Sequence, residues 1–171
     1  MHAQVTQLIT LKNAWMGSHI TEAEFPTPLS KQGLALYQTT QQAPNTVPFQ
    51  PAPATPPQSL LSIYPVDCHP LTIRYALVQA SQWDEQDAEA IIEFLTQIML
   101  DESSPAQLFV GFFQSKPVAC GMLFTHPDVP DHVLISDVCA FPLPNQQALE
   151  HAMTAWLTTQ AATLAPQIWQ C

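Results

Sequence analysis

Apolar residues along this chain follow two different periods, and the change between them marks its elements. The clearest helical stretch begins at Ser81. Ala88, Ile91, Ile92, Leu95, Ile98 and Met99 recur at steps of three and four, which puts one apolar stripe on a helix. Asp84, Glu85 and Asp87 suit its positive N-terminal end, and Ser103, Ser104 and Pro105 close it. Gln107–Gln114 (QLFVGFFQ) and Pro117–Thr125 (PVACGMLFT) predict a β-hairpin turning at Ser115 and Lys116. His132–Ala140 (HVLISDVCA) predicts another strand. A long amphipathic helix is expected from Asn145, with Leu149, Ala152, Met153, Trp156, Leu157 and Leu164 on one side. Pro166 ends it, and Gln167–Cys171 predicts a last short strand. Leu71–Gln79 (LTIRYALVQ), rich in β-branched and aromatic residues, predicts a first strand.

The N-terminal part is patterned differently. Val5, Leu8, Ile9, Leu11, Trp15 and Met16 approximate helical spacing, with Gly17 as a stop, and Leu34–Tyr37 predicts a short strand. Six prolines then fall between Pro44 and Pro57. Proline removes backbone donors and holds the chain extended. Residues 44–58 are therefore expected to be a connector between an arm (1–43) and a body (59–171). An arm of that size cannot bury its apolar side chains alone. It is expected to pack on the body or on a second copy, so a homodimer is one possible state.

Composition narrows the functional classes. Of 171 residues, 14 are acidic and four are basic, and the net charge is −10. The cations Lys12, Lys31, Arg74 and Lys116 are scattered. Binding to nucleic acid or to an anionic membrane needs clustered cations, so neither partner is expected. There is no apolar run of spanning length and no basic, then apolar leader. The four cysteines form no CxxC pair. A reduced, cytoplasmic protein without a thiolate zinc site is the expectation, with Cys171 exposed.

Three features carry candidate chemistry. His126, Asp128, Asp131 and His132 fall within seven residues, enough to meet a borderline metal ion; a solvated turn is the plainer reading, and no metal is expected. Asp137 lies inside a predicted strand and is a candidate general base if burial tunes it, or else a partner of Arg74. Cys139 is a candidate nucleophile if His126 or His132 reaches it. In a regular strand His132 points to the opposite face from Cys139, and a buried, small hydrophobe is the alternative.

The order strand, helix, hairpin, strand, helix, strand resembles that of the GNAT superfamily of N-acetyltransferases. FVGFFQSKPVACGMLF is similar to the second and third strands of that family, and HVLISDVCAFP to the fourth. The resemblance covers residues 71–171. It implies a three-layer α/β domain with a mixed, mostly antiparallel sheet flanked by helices. The domain is shortened at its C-terminus, with the helical arm filling the vacated place. It further implies acetyl-CoA as cofactor, with Val138, Cys139 and Ala140 pairing with pantetheine and Asn145, Gln146, Gln147 and Ala148 as the pyrophosphate loop. Asn145 stands where the family has Gln or Arg, Ala148 stands for a glycine, and Glu150 for a glycine or alanine. The implied reaction is acetyl transfer to a small-molecule or protein amine, with Asp137 as base and Cys139 beside the acyl carrier. The absence of loop glycines favours an alternative, a non-catalytic binding or dimerisation module of the same fold.

Overall fold

The computed structural model describes residues 2–41, 47–48 and 60–171. Apart from Val47–Pro48, the proline-rich connector lies outside the described residues. Five helices and six strands follow in the order α1 (His2–Thr21), α2 (Pro28–Thr40), β1 (Val47–Pro48), β2 (Ser62–Pro65), α3 (His69–Ala80), α4 (Glu85–Leu95), β3 (Ala106–Phe113), β4 (Lys116–Phe124), β5 (His132–Ala140), α5 (Gln146–Leu164) and β6 (Gln167–Gln170).

The hairpin, β5, α5 and β6 lie where the periodicity predicts them. Gln114 and Ser115 take φ of 50° and 66° at the hairpin tip, the left-handed pair that matches strand twist in a two-residue turn. On α5, Leu149, Met153, Leu157 and Ala161 are all fully buried. Each of the three large ones contributes roughly 1.5–3 kcal/mol of burial. Leu164 turns outward and is exposed. The cap of α4 is Asp84, whose side chain accepts from the Asp87 amide at 2.9 Å, so the helix starts later than Ser81.

Three expectations are corrected. Leu71–Gln79 is not a strand but the bulk of α3, and the first strand of the body is β2. Cys68 occupies the cap and Pro70 the first turn, where its missing N–H costs nothing. The buried residues Thr72, Tyr75, Ala76, Gln79 and Ala80 then trace one helical face. Leu34–Tyr37 is likewise helical, inside α2, which Thr27 caps by accepting from the Ser30 amide at 3.1 Å. Gly17 does not stop α1, which continues to Thr21; its neighbour there is Leu34, 3.7 Å from where a Cβ would lie.

The sheet order is β1-β6-β5-β4-β3-β2. All pairs are antiparallel except β5 with β6. One face packs on α5. The other packs on α1 to α4, where Val5, Leu8, Met16 and Tyr37 of the arm join Tyr75, Phe94, Leu108, Met122 and Trp169 in one core. Helix α2 is seated against α4 by Gly33. A Cβ at that position would lie 2.0 Å from the carbonyl oxygen of Ala90, so only glycine permits the approach.

Strand β5 breaks its own alternation. Pairing with β4 matches Cys120 to Cys139 and Met122 to Ser136, with a register shift between them. Two residues, Asp137 and Val138, therefore oppose the single Gly121, and Asp137 takes a φ of 58°. This is a β-bulge. Before it Leu134 faces the α1–α4 layer and Ile135 faces α5. After it Cys139 faces the α1–α4 layer and Ala140 faces α5. The parallel pairing with β6 ends at Ile135 and Gln170, and the Cys171 amide donates to the Ile135 carbonyl at 3.1 Å. Beyond that point β5 continues to Ala140 without β6 beside it.

Candidate active site

The bulge residue Asp137 sits where β5 and β6 part, and side chains from the arm converge on it. Its Oδ2 accepts from the Tyr37 hydroxyl at 2.8 Å. Its Oδ1 accepts from the Ser136 hydroxyl at 3.1 Å and from the Gln41 amide at 3.4 Å. The Lys12 ammonium stands 3.8 Å from the same oxygen, with the two side chains 0% and 5% exposed. Lys12 also donates to Gln41 Oε1 at 2.6 Å and to Ser136 Oγ at 3.1 Å, and lies 5.3 Å from the centre of the Tyr37 ring. A lysine is buried as a cation only when paired and hydrogen-bonded. Two of its protons thus have hydrogen-bond acceptors, the Asp137 carboxylate supplies the counter-charge, and the ring face adds cation–π attraction.

The arm helices explain how these groups meet. On α1, Val5, Leu8, Ile9, Lys12, Met16 and Ile20 are all buried, so Lys12 occupies a position of the apolar stripe itself. On α2, Tyr37 continues the buried face of Ser30, Gly33 and Leu34. Burial, followed by the Asp137 charge and hydrogen bond, pushes the Tyr37 hydroxyl well above its ordinary range. Tyr75, from α3, is buried and pushed up in the same way, by desolvation first and then by Asp137. Among the described residues its hydroxyl has no hydrogen-bond partner. Cys171 is half-buried rather than exposed. Its thiol donates to Ser136 Oγ at 3.5 Å, and burial raises it against the opposing pull of Ser136 and Lys12.

The backbone of the bulge and of the strand end beyond it is held by glutamines of α3, of its C-terminal turn and of α5. Gln79 donates to the Asp137 carbonyl and, at 3.2 Å, to Cys120 Sγ. Gln82 donates to the Ala140 carbonyl at 2.9 Å, and Gln146 donates to the same oxygen at 3.1 Å. Asn145 caps α5 without a side-chain hydrogen bond, while Gln147 and Ala148 are exposed in its first turn. Glu150 lies beyond that turn, which carries no acid.

The structure brings Asp137, Val138, Cys139 and Ala140 to one edge, with Asn145, Gln146, Gln147 and Ala148 at its C-terminal end. Arg74 is not the partner of Asp137; its guanidinium donates to the Pro70 carbonyl at 2.9 Å. Cys139 is buried, with its sulfur 3.5 Å from Cys120 Sγ and 3.7 Å from the Val78 carbonyl. The bulge puts it on the same side of the sheet as Leu134, so the opposite-face argument, which assumed a regular strand, fails. Neither histidine engages it. His132 stacks on Trp169 and accepts from its indole at 2.9 Å, and His126 accepts from the Asp128 amide at 3.1 Å. Among the described residues no three His, Cys, Asp or Glu side chains are placed to hold a metal. No helix among them is long and apolar enough to cross a membrane.

Lys12, Tyr37, Gln41, Ser136, Tyr75, Gln79 and Gln82 escape the sequence reading. A signal exists for Lys12: it is four residues from Leu8 and from Met16, on the apolar stripe.

No family model matches the sequence, and no curated protein is significantly similar to it. Solved structures are. A GCN5-related N-acetyltransferase from Kribbella flavida superposes with a TM-score of 0.52 at 18% identity, over 81% of this chain and 53% of that one. An integron cassette protein from the mobile metagenome of V. cholerae gives 0.49 at 13% identity, over 67% and 76%. A GNAT-family protein from Novosphingobium aromaticivorans gives 0.46 at 14%, over 73% and 48%. The chain thus spans about half the length of the Kribbella protein.

Proposed function

We propose that this chain, which has the fold of the GNAT N-acetyltransferases, binds acetyl-CoA along the free edge of β5 and transfers the acetyl group to a primary amine. One observation carries the reading: a buried carboxylate, Asp137, stands on the bulge where β5 and β6 part, 3.8 Å from a primary amine. The pantetheine chain would pair with Val138, Cys139 and Ala140. The diphosphate would lie at the exposed amides of Gln147 and Ala148, where the start of α5 offers unpaired donors and the positive end of its dipole. Glu150, outside the first turn, is less opposed to that placement than its sequence position suggests. Asp137 would accept the proton of the attacking ammonium.

A specific observation supports a second reading, a non-catalytic module. The space beside Asp137 is filled by the chain's own arm, and both lone pairs of the Ala140 carbonyl are taken by Gln82 and Gln146. Calorimetric titration with acetyl-CoA and with CoA decides between them. Saturable binding of acetyl-CoA supports the transferase. No heat at millimolar ligand rejects it and leaves the module.

A further inference from the structure

Two thiols face each other inside the sheet, directly after the bulge. Cys120 on β4 and Cys139 on β5 are register partners, and their sulfurs lie 3.5 Å apart. All four cysteines are free. Cys68 is exposed at the cap of α3, and the Cys171 thiol is turned to Ser136, so only Cys120 and Cys139 are matched across two strands. We infer that Cys120 and Cys139 are a redox-active dithiol, which a peroxide closes to a cross-strand disulfide. The inference is independent of whether acetyl-CoA binds.

The backbone already has the spacing of the oxidised form. Opposed residues of an antiparallel pair hold their Cα atoms about 4.5–5.5 Å apart, within the roughly 4.4–6.8 Å that a disulfide spans. The sulfurs have to close from 3.5 Å to about 2.05 Å, so a shift of less than about 1 Å by each suffices. What the thiols give up strands none of their partners. Cys139 Sγ donates to the Val78 carbonyl at 3.7 Å, but that oxygen also accepts from the Ser81 amide at 3.2 Å and the Ser81 hydroxyl at 2.6 Å. Gln79 donates to Cys120 Sγ at 3.2 Å and retains the Asp137 carbonyl if that contact weakens.

Cys139 is the first to react. It is 6% exposed where Cys120 is 0%, and it lies on the stretch of β5 that runs beyond β6. Burial, followed by the hydrogen bond with Cys139, raises the Cys120 thiol and keeps it protonated during the first step. The Cys139 sulfur attacks the peroxide: an S–O bond forms, the O–O bond breaks, and the thiol proton leaves with the departing oxygen as water. The Cys120 sulfur then displaces the oxygen held on Cys139. The S–S bond forms, the S–O bond breaks, and the Cys120 proton leaves in a second water. The thiols lose two electrons, and one hydrogen peroxide becomes two waters. The bond ties β5 to β4 next to Asp137 and closes the chain between residues 120 and 139, which disfavours the unfolded state.

The test exposes the folded full-length chain to hydrogen peroxide, blocks the remaining thiols with iodoacetamide in urea, and maps linked peptides by mass spectrometry. A Cys120–Cys139 link is expected at least about tenfold above any other pairing. It should form at a rate independent of protein concentration, and dithiothreitol should remove it. Cys120→Ser is expected to abolish the link and leave a dimedone-reactive sulfenic acid on Cys139; the wild-type mapping stands without this variant. Recovery of Cys120 and Cys139 as alkylated thiols after Cys68 has been oxidised overturns the inference. So does a pairing pattern equal to that of the chain oxidised in urea, where no fold holds the two sulfurs together.

Discussion

Replacing Lys12 by methionine tests whether the buried pair organises the arm. Methionine keeps an unbranched stem in the slot between Leu8 and Met16 and removes only the ammonium. Asp137 then keeps the Tyr37, Ser136 and Gln41 donors at 2.8, 3.1 and 3.4 Å but loses its cation, while Gln41 Oε1 and Ser136 Oγ lose a donor. Stranding one partner of a buried pair costs about 3–5 kcal/mol, and three surviving donors put this case near the low end, about 3 kcal/mol. The double variant Lys12→Met/Asp137→Asn removes both charges. Asparagine tolerates the left-handed backbone at this position, so the double change is expected to cost only about 1 kcal/mol. The double variant is thus expected to be about 2 kcal/mol more stable than the single one. In urea, with a slope near 1–3 kcal/mol/M, the single variant lowers the midpoint by about 1–3 M, and the double variant recovers most of it. A single variant within about 1 kcal/mol of wild type, or a double variant no more stable than the single, would refute the reasoning.

Other expectations follow from the same geometry. Tyr37→Phe removes a hydrogen bond to a buried carboxylate and is expected to cost about 1.5–3 kcal/mol, read as a lower denaturation midpoint with an unchanged slope. Gly33→Ala sets a Cβ into the Ala90 carbonyl and is expected to cost about 2–3 kcal/mol by overpacking; limited proteolysis of α2 should accelerate, and unchanged resistance would count against the close seating. Stability should fall in alkali. The Cys171 thiol is raised above 9.0, and the Tyr37 and Tyr75 hydroxyls well above 10.0. The unfolded chain therefore sheds these protons first and binds fewer of them than the fold. Their contribution is complete below about pH 9 and is lost as pH rises from there through the folded values; a melting temperature flat from pH 8 to 11 contradicts this. His19 is lowered from 6.5 chiefly by burial, so its contribution is present above that pH and lost as pH falls through the folded value, an effect His19→Gln should abolish.

Legibility in the sequence followed how local the governing interaction was. The hairpin, β5 and α5 could be read because each buries one face of a regular period. Helix α3 misled because its β-branched and aromatic residues favour strands when taken one by one. The Thr72, Tyr75, Ala76, Gln79 spacing, with Pro70 in the first turn, carried the helical signal instead. In the arm, Thr27 followed by Pro28 and the Ser30, Gly33, Leu34, Tyr37 spacing mark α2 in the same way. The bulge had no local mark, since an aspartate in a strand is compatible with a regular ladder. It exists because β4 has one residue fewer opposite it.

What the chain determined by itself was most of its elements, its acidic character and the hairpin, strand, helix, strand order from residue 106 onward. Those depend on period, charge and composition, which are properties of neighbours in sequence. The site depends on distance in space. Lys12, Tyr37 and Gln41 meet Asp137 from across the proline-rich segment, 125 positions separating the lysine from the carboxylate. Only the docking of α1 and α2 onto the sheet, which buries their apolar stripes, brings the one interior cation to the one break in the strand.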